Sequence, residues 1–247
     1  LRSSIGDTQH RLQTLFPTLT PSLWRENTWR LPPDTRIAPS FDYLAGLYHA
    51  QEEAALWAGD LVAAQPGERV LDLCAAPGGK SAQIATQMRN RGTLIANDRN
   101  GPRLAALRRN LDRLGVHCAA VRHGDGVRFP MTAGPFDRVL VDAPCTGEGT
   151  TRKPQGHRGV SRFRLKVVQI QKALLRRALK LVKRGGLVVY ATCTYAPEEN
   201  EAVVDALDRR FAEILPTEAP PGLRVTPGIT AWASHRFGDD LQHTLRL

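Results

Sequence analysis

From Val70 onward, short apolar runs alternate with segments whose apolar positions recur every three or four residues. The runs are "RVLDLC", "TLIAND", "HCAAVR", "FDRVLVDA" and "GLVVYATC". They are near-continuous in Val, Leu, Ile and Ala, the pattern of strands buried on both faces of a parallel sheet. The spacing predicts a helix from about Lys80 to Met88. A second helix opens at Pro102, whose fixed φ suits a first turn, shows the apolar face Leu104, Leu107, Leu111, Leu114, and stops at Gly115. A third is read from "LKVVQIQKALLRRALKLVKRGG", where Val167, Ile170, Leu174, Ala178 and Leu181 form one stripe. Strand–helix alternation of this kind is a doubly wound α/β domain with a mostly parallel sheet. Before Leu61 the pattern weakens to a short helix near His10–Leu15, a Pro-rich irregular stretch through Pro39 and a helix from about Gln51. Residues 1–60 therefore read as an extension and 61–247 as the α/β domain.

At 247 residues the chain is long enough to bury a substantial core. Its four cysteines lie 44, 27 and 48 residues apart, which excludes paired-ligand zinc spacing and argues against a disulfide framework. No metal site is expected. Free thiols indicate a reducing compartment, and no run approaches the roughly 18 apolar residues of a membrane span. The expectation is a soluble cytoplasmic monomer. Charge sharpens the picture. The net charge is +10, yet residues 152–184 hold twelve Lys and Arg and no Asp or Glu, leaving −2 for the remainder. A solvated helix face usually mixes signs. An acid-free basic segment suits a polyanion, most simply nucleic acid, with Arg152, Lys153, Arg158 and Arg162 as phosphate contacts.

In an open parallel sheet, ligands sit beyond the carboxyl ends of the strands, near the switch in strand order. The first strand delivers "CAAPGGK", where Gly78 and Gly79 permit close backbone approach and a helix begins. The second ends in Asp98, placed for ribose hydroxyls, and the third leads to Asp125, available to an exocyclic amine. A dinucleotide fingerprint is absent, and a Walker-type loop fails because no glycine stands where its first glycine is required. S-adenosylmethionine, which carries no phosphate, fits an aspartate-rich pocket better than ATP or NAD. Each aspartate alone reads equally well as a cap or turn. Three at successive strand ends are harder to dismiss.

Cys74 and Cys118 lie within apolar strands and read as small buried hydrophobes. Cys145 and Cys193 lie just past strand ends among threonines, and two thiols beside a nucleoside pocket point to nucleophilic work. A thiolate adding to carbon 6 of a pyrimidine makes carbon 5 nucleophilic enough to take a methyl group. Loss of the carbon 5 proton and β-elimination then release the cysteine. Cys193, Cys145, Asp142 and Lys80 could supply thiolate, release and ring-edge contacts. The residues alone leave open which thiol attacks.

"VLDLCAAPGGK", "DAPCTGEGTTRK" and "YATCTYAPEENEAVV" together resemble the signature blocks of the Nol/Nop/Sun family of RNA cytosine-5 methyltransferases, over about Gly46 to Val204. The resemblance implies the class I, Rossmann-like fold of S-adenosylmethionine-dependent methyltransferases. It implies that Cys74, Ala75, Ala76, Pro77, Gly78, Gly79, Lys80, Asp98, Asp125 and Asp142 line the cofactor and target-base site. It makes Cys193 the nucleophile and Cys145 the aid to release, with ribosomal RNA favoured over transfer RNA as substrate. Thr146 departs from the family's usual serine but keeps the hydroxyl. The family often carries an N-terminal RNA-binding extension and continues past "LQHTLRL". On that basis Thr244–Leu247 is expected to begin a sixth strand of the sheet with its antiparallel partner missing, and Pro197 to open a helix whose positive end favours a thiolate at Cys193. A silent RNA-binding module would be free to lose a thiol or a pocket aspartate. A small-molecule methyltransferase would leave the basic segment unexplained.

Overall fold

The apolar runs become five strands of one sheet. β1 (Arg69–Asp72), β2 (Thr93–Asp98), β3 (Ala119–His123), β4 (Phe136–Asp142) and β5 (Val182–Ala191) lie in the order β3-β2-β1-β4-β5, each parallel to its neighbours. The computed structural model describes residues 5–32, 35, 37, 40–150 and 161–247. The central strands are closed off from water on both faces, with Val70, Leu71, Leu94, Val139, Leu140 and Val141 all 0% exposed. Successive residues of a strand point to opposite faces, so two layers of helices are needed to cover them.

On one face Leu71, Val139 and Val141 meet Leu174, Ala178 and Leu181 of helix α5 (Ser161–Leu181), with Phe129 and Phe136 at the edge. On the other, Val70, Leu94 and Leu140 meet Ile84, Ala85 and Met88 at helix α3 (Gly79–Gln87). Helix α4 (Gly101–Arg113) adds Leu104, Leu107 and Leu111 beside Ala82 and Ala96. Its start is set by Asn100, which accepts a hydrogen bond from the Arg103 amide, and by Pro102 in the first turn; the chain leaves it through Gly115 at φ +66°. Fully burying one such side chain contributes about 1.5–3 kcal/mol, so each stripe outweighs the modest helix propensity of its sequence.

Ahead of the sheet, helix α1 (Ile5–Leu15) and helix α2 (Glu53–Asp60) are present. α2 is tied to α3: Gln83 donates to the Leu56 carbonyl (2.8 Å) and to Asp60 (2.5 Å).

Two expectations need correction. Leu245–Arg246 does not join the main sheet; it pairs antiparallel with Thr226–Pro227 in a separate two-residue ladder. Arg246 is drawn there by Glu201, at 2.7 Å to each carboxylate oxygen, and by the Tyr195 carbonyl. Nor does a helix open at Pro197. Residues 197–200 form a turn, and helix α6 (Glu201–Asp205) follows with only five residues. The Asn200 side chain donates to the Thr194 carbonyl (2.9 Å) and accepts from the Thr192 hydroxyl (2.6 Å), contacts that hold the turn against the preceding segment.

Candidate active site

The strand order reverses between β1 and β4, whose carboxyl ends lie there beside those of β2 and β5. Register pairs Asp72 with Ala96 and with Leu140, and Asp142 with Ala191, so the residues just beyond lie side by side. The loop after β1 is held by its neighbours. Asp98 accepts from the Ala76 amide (3.0 Å) and the Asn100 amide (2.8 Å), and Arg103 donates to the Ala76 carbonyl. Asn110 donates to the Pro77 carbonyl at 2.9 Å. Gly78 has φ +106°, and a Cβ there would come within 2.9 Å of Leu107. A Cβ on Gly79 would stand 2.7 Å from the Gln51 side-chain oxygen and 3.2 Å from the His49 ring. His49 and Gln51 therefore wall the loop, a role that nothing in their sequence surroundings announces.

This loop fits a nucleoside without phosphate. It is glycine-lined where α3 begins, and each Asp98 oxygen spends one acceptor position on a backbone amide, leaving capacity for a diol. Asp125 is exposed and caps the short turn after β3 through the Val127 amide at 3.0 Å. Cys74, just past β1, and Cys118, just before β3, pack against the two sides of the core but are only partly buried and lie outside the strands in which they were expected. Burial pushes the Cys74 thiol up.

Lys80, in the first turn of α3, meets Asp142 from the end of β4 at 2.8 Å, with both side chains partly open to solvent. Three residues past Asp142 stands Cys145, and two past β5 stands Cys193. Their sulfurs are 3.1 Å apart, and the Cys193 amide also points at the Cys145 sulfur (3.3 Å). The pair divides its protons unequally. The Cys145 S–H bond to Cys193 lowers the Cys193 thiol to about 7, against opposing burial and the Asp142 charge and with help from Lys80. The same bond, with burial, pushes Cys145 up. Cys193 is the more exposed of the two. The source of the lowered thiol is thus its partner cysteine, and the expected helix end at Pro197 plays no part.

What sequence reasoning missed is how the two cysteine loops are joined. Glu199 is 0% exposed. Its carboxylate accepts from the Thr146 amide (3.0 Å), the Thr146 hydroxyl (2.6 Å) and the Gln171 side chain (2.9 Å). Gln171, also 0% exposed, donates in addition to the Pro144 carbonyl at 2.9 Å. The Thr146 and Thr194 hydroxyls meet at 2.9 Å, and the Gly149 amide donates to the Cys193 carbonyl at 2.9 Å. Gln171 did leave a trace in the sequence, as a polar residue inside the apolar stripe of α5. Arg164, one of the cations of the basic segment, faces inward to Glu148, with Glu198 and Glu199 each 3.8 Å away. Arg152, Lys153 and Arg158 lie outside the described residues, as does the side chain of Arg162.

The sequence pattern of the family described as "16S rRNA methyltransferase RsmB/F" matches residues 60–237. A human protein named 28S rRNA (cytosine(4447)-C(5))-methyltransferase is 41% identical over 217 residues, which cover 85% of this chain and 26% of that protein. A Pyrococcus abyssi protein named tRNA (cytosine(49)-C(5))-methyltransferase is 35% identical over 219 residues, 87% of this chain and 69% of its own. The crystal structure of a methyltransferase homologue from Pyrococcus horikoshii superimposes with a TM-score of 0.80 at 30% identity, covering 98% of this chain and 76% of that one. The chain spans about a quarter of the length of the human relative.

Proposed function

The chain belongs to the RsmB/F family of 16S rRNA methyltransferases, and on that premise we propose that it methylates carbon 5 of a cytosine in RNA, with S-adenosylmethionine as donor. Ribosomal RNA is the favoured substrate, from the family's description and the human relative's name, with transfer RNA the second choice from the archaeal one. The cytoplasm, where both RNAs are found, is the proposed site of action.

The observation that carries the reading is the thiol pair at 3.1 Å beside Lys80 and Asp142, at the mouth of a glycine-lined loop. Residues 74–80, Asp98 and Asp125 would hold the cofactor. When bound, S-adenosylmethionine supplies an electrophilic methyl group and nothing else. The remaining work falls to this chain. Cys193, lowered to about 7, offers a thiolate near neutral pH to attack carbon 6. Lys80 and Asp142 set an ammonium donor beside a carboxylate acceptor, which suits a cytosine edge carrying both an acceptor nitrogen and an amine. Once the Cys193 sulfur is bonded to carbon 6 and carbon 5 carries the methyl group, Cys145 no longer donates to a thiolate, gives its own proton to solvent and takes the carbon 5 proton as a thiolate. Electrons from that C–H bond then form the 5,6 double bond and expel Cys193 as thiolate.

The test is direct. The chain is incubated with S-adenosylmethionine and transcripts of 16S ribosomal RNA, and the RNA is digested to nucleosides for mass spectrometry. The expected product is 5-methylcytidine, mapped by bisulfite sequencing to discrete positions. Methylation at a ring nitrogen or a ribose oxygen would contradict the reading.

A further inference from the structure

A carboxylate closed off from water is costly unless its neighbours satisfy it, and an apolar side chain would fill the same space more cheaply. Glu199 nevertheless stands 0% exposed between the two cysteine loops. Two of its donors, the amide and hydroxyl of Thr146, belong to the residue after Cys145. Its third, Gln171, also holds the carbonyl of Pro144, the residue before Cys145. Because a carboxylate only accepts, the Thr146 hydroxyl must donate to Glu199 and accept from Thr194, the residue after Cys193. The next residue in the turn, Asn200, bonds to Thr192 and Thr194 on either side of Cys193. Both neighbours of each thiol are therefore tied to Glu199 and Asn200 of one turn and to Gln171.

We propose that Glu199 is a positioning residue: it clamps the Cys145 loop onto the Cys193 loop and so sets the separation of the two thiols. It touches neither sulfur, and its effect on chemistry passes through Thr146. The clamp rests on geometry alone for how the thiols are held, and on the reading above for what they do.

Phenylarsine oxide provides a probe that needs no RNA. One arsenic takes two thiols with loss of water, so tight capture requires two sulfurs held close. The wild-type chain should bind one arsenical through Cys145 and Cys193, and Cys145→Ala should not. Glu199→Ala should weaken capture by about tenfold or more and lower kcat by a similar factor, with KM for S-adenosylmethionine within about twofold. Glu199→Gln should restore both, because an amide can accept from the Thr146 and Gln171 nitrogens and donate to a reversed Thr146 hydroxyl. Should Glu199→Ala fail to fold, Thr146→Val removes the hydroxyl link while keeping the shape, and its capture should fall by about threefold or more. Equal capture by wild type, Glu199→Ala and Thr146→Val overturns the clamp, as does a wild type that captures nothing. Capture that follows this order in a chain that methylates no RNA supports the clamp and contradicts the functional reading.

Discussion

Two identical side chains stand 3.1 Å apart here, and the bond between them favours ionisation of Cys193 over Cys145. A cysteine at its ordinary value near 8.5 is a few per cent thiolate at neutral pH. Cys193, lowered to about 7 chiefly because Cys145 donates to it, carries a larger share of thiolate there. The rate at which iodoacetamide labels Cys193 should accordingly rise with pH and level off above a midpoint near 7, as read by mass spectrometry of its peptide. Cys145→Ala removes the largest cause of the lowering, so the midpoint should move up by about one unit or more. An unmoved midpoint would show that Lys80 and the surrounding amides suffice. Asp72 carries a second pH dependence. Burial raises it to about 7, and one of its oxygens has no partner. A carboxyl whose folded value lies above its unfolded one keeps its proton longer in the folded state. It therefore costs stability progressively as pH rises from about 4 to about 7. Asp72→Asn should gain in melting temperature relative to wild type between pH 5 and pH 8. A constant difference across that range would mean that Asp72 is ionised throughout.

At the scale of elements, the apolar runs announced the central strands β1, β2 and β4 because burial on both faces leaves little room for polar alternation, whereas β3 and β5 at the sheet edges are only partly buried against the same expectation. The stripe of α5 and the capped start of α4 were legible for the same local reason. The turn at 197–200 was not. Proline followed by two acids reads as a helix start, but the donors that pull Glu199 inward, Thr146 and Gln171, stand 53 and 28 residues away in sequence. The four residues Lys183–Gly186 bulging out between the β4–β5 pairs Phe136↔Val182 and Arg138↔Leu187 were hidden too, since a Gly-Gly step reads only as a turn. The end of β2 is proposed as part of the cofactor site. Asp98→Ala should weaken S-adenosylmethionine binding by about 1.5–3 kcal/mol, roughly one to two decades of affinity. Calorimetry showing unchanged affinity would leave Asp98 only its bonds to the Ala76 and Asn100 amides.

For the whole molecule, charge and topology divide the labour. Ten of the twelve acid-free cations lie in and before α5, the helix that also carries Gln171 to Glu199 and the Pro144 carbonyl, so the element proposed to meet RNA is tied to the cysteine loops. Replacing Arg152, Lys153, Arg158 and Arg162 together by uncharged residues should flatten the salt dependence of RNA binding. For every single-strand phosphate no longer neutralised by a cation, the log–log slope should shrink by about 0.7, and the affinity for S-adenosylmethionine should stay as it was. An unaltered slope would make the segment a solvated surface. The placing of Leu245–Arg246 beside Thr226–Pro227 could not be foreseen, because a two-residue ladder fixed by Arg246 and Glu201 has no periodicity to read. The central claim, a covalent route through Cys193 with release aided by Cys145, is tested most directly on a denaturing gel. Each variant is incubated with S-adenosylmethionine and labelled ribosomal RNA, and the slow-migrating protein–RNA adduct is measured. Cys145→Ala should accumulate adduct, and Cys193→Ala should form none. Adduct in the Cys193 variant but not in the Cys145 variant would contradict the assignment.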